Sequence, residues 1–86
     1  MKVIKQNIGQ SESIYSVWTR DTDSPLIVVK MLDGKPTIDA ATHAHMTVYD
    51  AAEYAQALMI GIQIVDDLNN GRAVEADEPQ ESTGVF

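Results

Sequence analysis

Two histidines stand two residues apart in Thr42-His43-Ala44-His45. On an extended backbone alternate residues share a face, so the two imidazoles fall on one side and Asp39 shares their parity. Asp39, His43 and His45 have the donor types of a divalent-metal set. No further ligand stands at a demanding position, and the alternative is a pair of solvent-facing imidazoles at a strand-to-helix junction. As a general base, either histidine lacks a nucleophile and an oxyanion site. Asp21-Thr22-Asp23-Ser24 opens like a calcium loop, but the glycine and the closing Glu are missing and Pro25 follows, which leaves a plain turn. The glycines form no phosphate-cradling motif. The expectation is a non-enzymatic protein with no cofactor and no metal; the alternative is small-ligand or metal binding through His43 and His45.

The elements that would position any surface group are dominated by one helix, expected from Thr47 to Asn69. With about 100° per residue, its apolar side chains sweep roughly two-thirds of the circumference, and only Glu53, Gln56, Gln63 and Asp67 form a narrow polar strip. A helix lying on one sheet needs an apolar arc of about 100° or somewhat more. The excess asks for a second partner, most simply another copy of the same helix. Gly61, inside the helix, costs about 1 kcal/mol relative to alanine and so implies a close approach. Together with Tyr54, Ala57, Ile64 and Leu68 it is assigned to a dimer interface, the alternative being close packing of the same stripe on the chain's own sheet. At ~35 Å the helix is longer than strands of six to eight residues, ~20–27 Å, and its end near Ile62 to Leu68 is expected to overhang the sheet.

Ahead of the helix, Met1–Ile8 and Ser13–Arg20 read as strands, and the nearly all-apolar Leu26–Leu32 reads as a central strand. Asp33-Gly34 marks a two-residue hairpin. Its register pairs Leu32 with Lys35, Met31 with Pro36, Val29 with Ile38 and Ile27 with Ala40. Ile27, Val29, Met31, Ile38 and Ala40 then share the face that meets the helix. Pro36 sits where its missing N–H points away from the third strand, which makes the fourth an edge. Trp18 shares a face of the second strand with Ile14, while Tyr15 and Val17 share the other; an outward Trp18 would join Val28 and Leu26 beside Lys30. The fold expected is α+β: a four-stranded, mainly antiparallel sheet packed by one long C-terminal helix, with a single domain over 1–71 and a disordered acidic tail over 72–86.

The chain has 86 residues, a net charge of −7 and no cysteine. That size bounds it to one small core. Residues 1–38 hold five basic and four acidic side chains, whereas residues 39–86 hold Arg72 against nine acids. Clustered Lys and Arg are absent, which argues against direct nucleic-acid binding and favours a protein partner with a basic surface. With no apolar run long enough for a leader or a membrane span, a cytoplasmic location without membrane contact is expected.

The last dozen residues, in which Glu75, Asp77, Glu78 and Glu81 precede Gly84-Val85-Phe86, resemble in outline the acidic, Phe-ending tails of single-stranded-DNA-binding proteins. The dense acidic run and the proline before the terminal Phe are missing, as is a basic, aromatic groove elsewhere. That resemblance implies a replication accessory as a further alternative. The leading expectation is a small acidic inhibitor, adaptor or regulator, by analogy of size and charge with phage or mobile-element accessory proteins. It acts as a homodimer, and Trp18, Lys30, Asp50, Glu53, Asp66 and Asp67 contact the partner.

Overall fold

The computed structural model of the chain describes residues 1–8, 12–19, 24–40 and 45–77. β1 (Lys2–Ile8), β2 (Glu12–Trp18), β3 (Ile27–Leu32) and β4 (Lys35–Ala40) form one sheet in the order β1-β2-β3-β4, each neighbouring pair antiparallel. α1 (Val48–Asn69) packs across one face, over β2, β3 and β4. The architecture is the α+β arrangement expected. The hairpin has the register worked out from Asp33-Gly34, from Leu32↔Lys35 through to Ile27↔Ala40. Asp33 and Gly34 both take positive φ, 55° and 79°, the backbone twist that joins two strands through two residues. β4 lies at an edge, as Pro36 requires.

The buried core is Tyr15, Val17, Ile27, Val29, Ala57 and Ile64, with Ile38, Ala40, Tyr54, Leu58 and Leu68 packed around it. Burial of Tyr15 and Val17 decides the orientation of β2: its alternate residues Ile14, Ser16 and Trp18 lie on the face away from the helix. Met31, assigned to the helix-facing set, is exposed near the hairpin end, beyond the helix's cover.

Both helix ends are capped by the chain itself. The Thr47 hydroxyl accepts from the Asp50 N–H at 3.0 Å. At the other end Gly71 takes φ 70°, which turns the Arg72 N–H back onto the Asp67 carbonyl at 2.8 Å and the Gly71 N–H onto that of Leu68 at 3.4 Å. The helix overhang falls at the opposite end from the one expected. Residues 48–52 are all exposed, whereas Ile64 is buried and Leu68 half-buried. Val74 and Ala76 add cover beside the helix's second half, and Gly61 seats it over the middle of the sheet.

The boundary of the packed chain also differs from the one expected. Residues 72–77, assigned by composition to a disordered tail, run beside β1: the Asp77 N–H donates to the Val3 carbonyl and the Lys5 N–H to the Asp77 carbonyl, both at 2.8 Å. The cause is local. Val74 and Ala76 alternate with Ala73, Glu75 and Asp77, so an extended backbone turns two apolar side chains inward while its N–H and C=O groups meet the open edge of β1. The rest of the acidic segment, including Phe86, lies outside the described residues. Among the described residues no helix is long and apolar enough to cross a membrane.

Candidate functional site

The outer sheet face is assembled by register. Ile4, Ser16, Val28 and Asp39 form one row across all four strands, and Trp18 stands opposite Lys2 in the next. The indole N–H donates to the Ser16 hydroxyl at 2.9 Å, and that hydroxyl donates to the Ile4 carbonyl at 3.4 Å. These bonds hold the ring against its own strand, so little of its freedom remains to be lost when something packs on it. Lys30, on the same face, pairs with Asp39 across the hairpin at 3.3 Å. Both are exposed, so the pair orients the lysine more than it stabilises the sheet. Leu32 is exposed near the hairpin end.

At the end of the sheet where β1 begins and β2 ends, an open cleft of about 780 Å³ is lined by Met1, Lys2, Ile4, Trp18 and Thr19 and by Glu53 and Gln56 from the N-terminal half of α1. Lys2 and Glu53 are the charged groups in that lining. It has an aromatic wall, an aliphatic floor and one charge of each sign. The cleft thus sets apolar surface beside a cationic and an anionic side chain.

Of the residues assigned to partner contact, the structure thus brings Trp18 and Glu53 together and places Lys30 on the same outer face as Trp18. The remaining acids are dispersed. Asp50 is at the helix N-terminus, and Asp66 and Asp67 are about 24 Å along the axis, where Arg72 engages both. The Arg72 Nε donates to Asp67 at 2.9 Å, and its guanidinium closes on Asp66. Two carboxylates at the negative end of a helix dipole are unfavourable, and the last turn has no basic residue. Arg72, brought round by the Gly71 turn, supplies that charge. Hydrogen bonds from Arg72 and then from Gln63 hold the Asp67 carboxyl below its ordinary value, and the Asp67 contact raises the Arg72 guanidinium further.

The dimer stripe is placed elsewhere. Ala57, Gly61 and Ile64 are buried against the chain's own sheet, with Tyr54 and Leu68 half-buried beside them. A Cβ on Gly61 would lie 2.9 Å from Ile27 Cγ2, 3.7 Å from Ile38 Cδ1 and 3.8 Å from Val29 Cγ2. The close approach that this glycine permits is helix to sheet within one protomer, the alternative reading of the stripe. Beside Tyr49 and Ala51, the apolar residues left on the outside of α1 are Val48, Ala52, Ala55, Met59 and Ile62. Their alternating spacings of four and three were the signal for them.

Among the described residues no three His, Asp or Glu side chains converge on a common point. Asp39 is engaged by Lys30, His45 is exposed, and His43 lies outside the described residues, as do Asp21 to Asp23. No protein-family model matches the chain, and no curated protein or solved structure is similar to it.

Proposed function

We propose that this protein is a non-enzymatic protein-binding module, an inhibitor, adaptor or regulator that works as a homodimer and takes its partner at the Trp18 cleft. The observation that carries the reading is the meeting of a hydrogen-bonded, half-buried Trp18 with Glu53 in one open cleft at the sheet end. A tryptophan held in place and rimmed by polar groups is the residue type that dominates protein interfaces. Glu53 adds a preference for a basic group on the partner, which agrees with the net charge of −7. The partner is therefore another protein that brings an apolar side chain to the indole and a Lys or Arg to Glu53.

Affinity capture from the native host tests this with three baits: the unaltered chain, Trp18→Ala and Glu53→Lys. One protein retained by the first and lost by both variants, each with an unchanged circular-dichroism spectrum, is the expected result. A partner retained equally by all three would remove the cleft from the reading.

A further inference from the structure

The outward face of α1 carries an apolar stripe distinct from the one packed on the sheet. Val48, Ala52, Ala55, Met59 and Ile62 succeed one another at intervals of four, three, four and three residues, and Asp66 continues the series. This is the 3.5-residue spacing of a coiled-coil seam. All are exposed, Val48 at 88%, Met59 at 69% and Ile62 at 54%. At about 100° per residue the seam lies diametrically opposite Ala57, Gly61 and Ile64. Glu53 is the one charged residue between Ala51 and Gln63, and it lies off the seam in the Trp18 cleft. In a chain with 13 acidic residues, the outward strip from Val48 to Ile62 carries no charge, and Asp66 closes it.

We infer that this seam is the contact for a second copy of the chain, with the two helices antiparallel; the inference rests on the homodimer reading above and gives it a surface and an orientation. The size order along the seam favours that orientation. Inside its end positions Val48 and Asp66, its first half carries Ala52 and Ala55, its second Met59 and Ile62. In an antiparallel pair Met59 packs opposite Ala55 of the second copy and Ile62 opposite Ala52, large against small at each level. A parallel pair stacks alanine on alanine and methionine on methionine, which leaves gaps at one end and crowding at the other.

Parallel pairing sets the two Asp66 side chains against each other. Antiparallel pairing separates them and places each, held by its own Arg72, beside the other copy's first turn, where the positive end of the helix dipole and the Asp50 carboxylate both lie. A single 22-residue helix from each copy makes a contact at or below the ~1,200 Å² lower bound of stable interfaces. The dimer is accordingly reversible and depends on concentration.

Sedimentation equilibrium from about 1 µM to about 1 mM spans the range of such an association. A rise from monomer to dimer mass is expected, with Ile62→Asp weakening it at least about 100-fold by placing a carboxylate in the seam of each copy. Ile62 is exposed in the protomer, so a thermal midpoint measured at the dilute end confirms that the variant folds. Orientation is read by disulfide trapping, since the chain has no cysteine of its own. An equimolar mixture of Ala55→Cys and Met59→Cys is expected to give the mixed disulfide well above its random share of half the product. A constant monomer mass, a dimer indifferent to Ile62→Asp, or a mixed disulfide at or below that share would each overturn the inference. Loss of dimerisation with retained Trp18-dependent capture would separate this failure from failure of the partner-binding reading.

Discussion

Gly61 and Ile62 are neighbours in the chain and belong to opposite faces of α1. Gly61 is buried, with no room for a methyl group before Ile27, whereas Ile62 is more than half exposed. Both stripes are apolar, so apolarity does not decide which one meets the sheet. Size does. The sheet-facing stripe has its smallest residues, Ala57 and Gly61, on the line of closest approach, with Tyr54, Leu58, Ile64 and Leu68 filling in around them. The outward stripe has no glycine and carries large residues, Val48, Met59 and Ile62, toward both of its ends. A small-residue pair in a helix marks a close approach; what approaches has to be found from the rest of the fold.

The comparison breaks hardest at Gly61. Leucine there would relieve the helix penalty of glycine, about 1 kcal/mol. Its first carbon, however, already falls within contact distance of the fully buried Ile27 side chain, and the helix must lift off the sheet to admit the rest. A net loss of about 3 kcal/mol is expected, a fall of roughly 12–24 °C in thermal midpoint for a domain of this size. Ile62→Asp, one residue on, is expected to stay within about 0.5 kcal/mol of the unaltered chain at concentrations where it is monomeric. Thermal denaturation of both variants side by side checks this, and equal losses would erase the distinction between the faces.

Most of the fold was legible before the structure because it rests on local chemistry: two residues of positive φ at Asp33-Gly34, a proline confined to an edge, a Thr cap, an Asn-Gly stop. Each acts over a few residues and leaves its mark in the order of types. Three features depend on what lies across the fold and left no such mark. Trp18 and Tyr15 are equally good candidates for the inner face of β2 until the helix is placed. The stripe around Gly61 fits a second helix or a sheet equally well. The segment 72–77 is too polar to be recognised as structured by composition; its place comes from two main-chain hydrogen bonds that any sequence without proline could make.

That segment provides the next test. Ending the chain after Arg72 removes the two backbone hydrogen bonds to β1, worth about 0.5–1.5 kcal/mol each, and the partial cover from Val74 and Ala76. A loss of about 2 kcal/mol in total, or roughly 8–16 °C, is expected. Ending it after Asp77 keeps those contacts, and the midpoint is expected to match that of the full chain. If the two truncated chains melt together, the pairing with β1 contributes nothing and the domain ends at Gly71, as composition alone implied.

The smallest effect is expected at the capped end of the helix, where Arg72 holds the exposed Asp66 and the half-buried Asp67. Arg72→Gln removes the charge and the larger of the two hydrogen-bonding influences on Asp67, leaving the one from Gln63. The Asp67 carboxyl is then expected to titrate at a higher pH than in the unaltered chain, closer to the ordinary 3.8. The sign for stability follows from the direction of the shift. A carboxyl held down in the folded state stabilises it above the ordinary value, and the contribution disappears as pH falls through the folded one. The unaltered chain is therefore expected to be slightly the more stable near neutrality, with the difference closing as the pH falls through the ordinary 3.8 and below it and shrinking in high salt. Carboxyl titration of Asp67 by NMR, with melting curves across the same range, reads both. An Asp67 that titrates identically in the two proteins would mean that the Gly71 turn alone ends the helix and that Arg72 adds no charge compensation there.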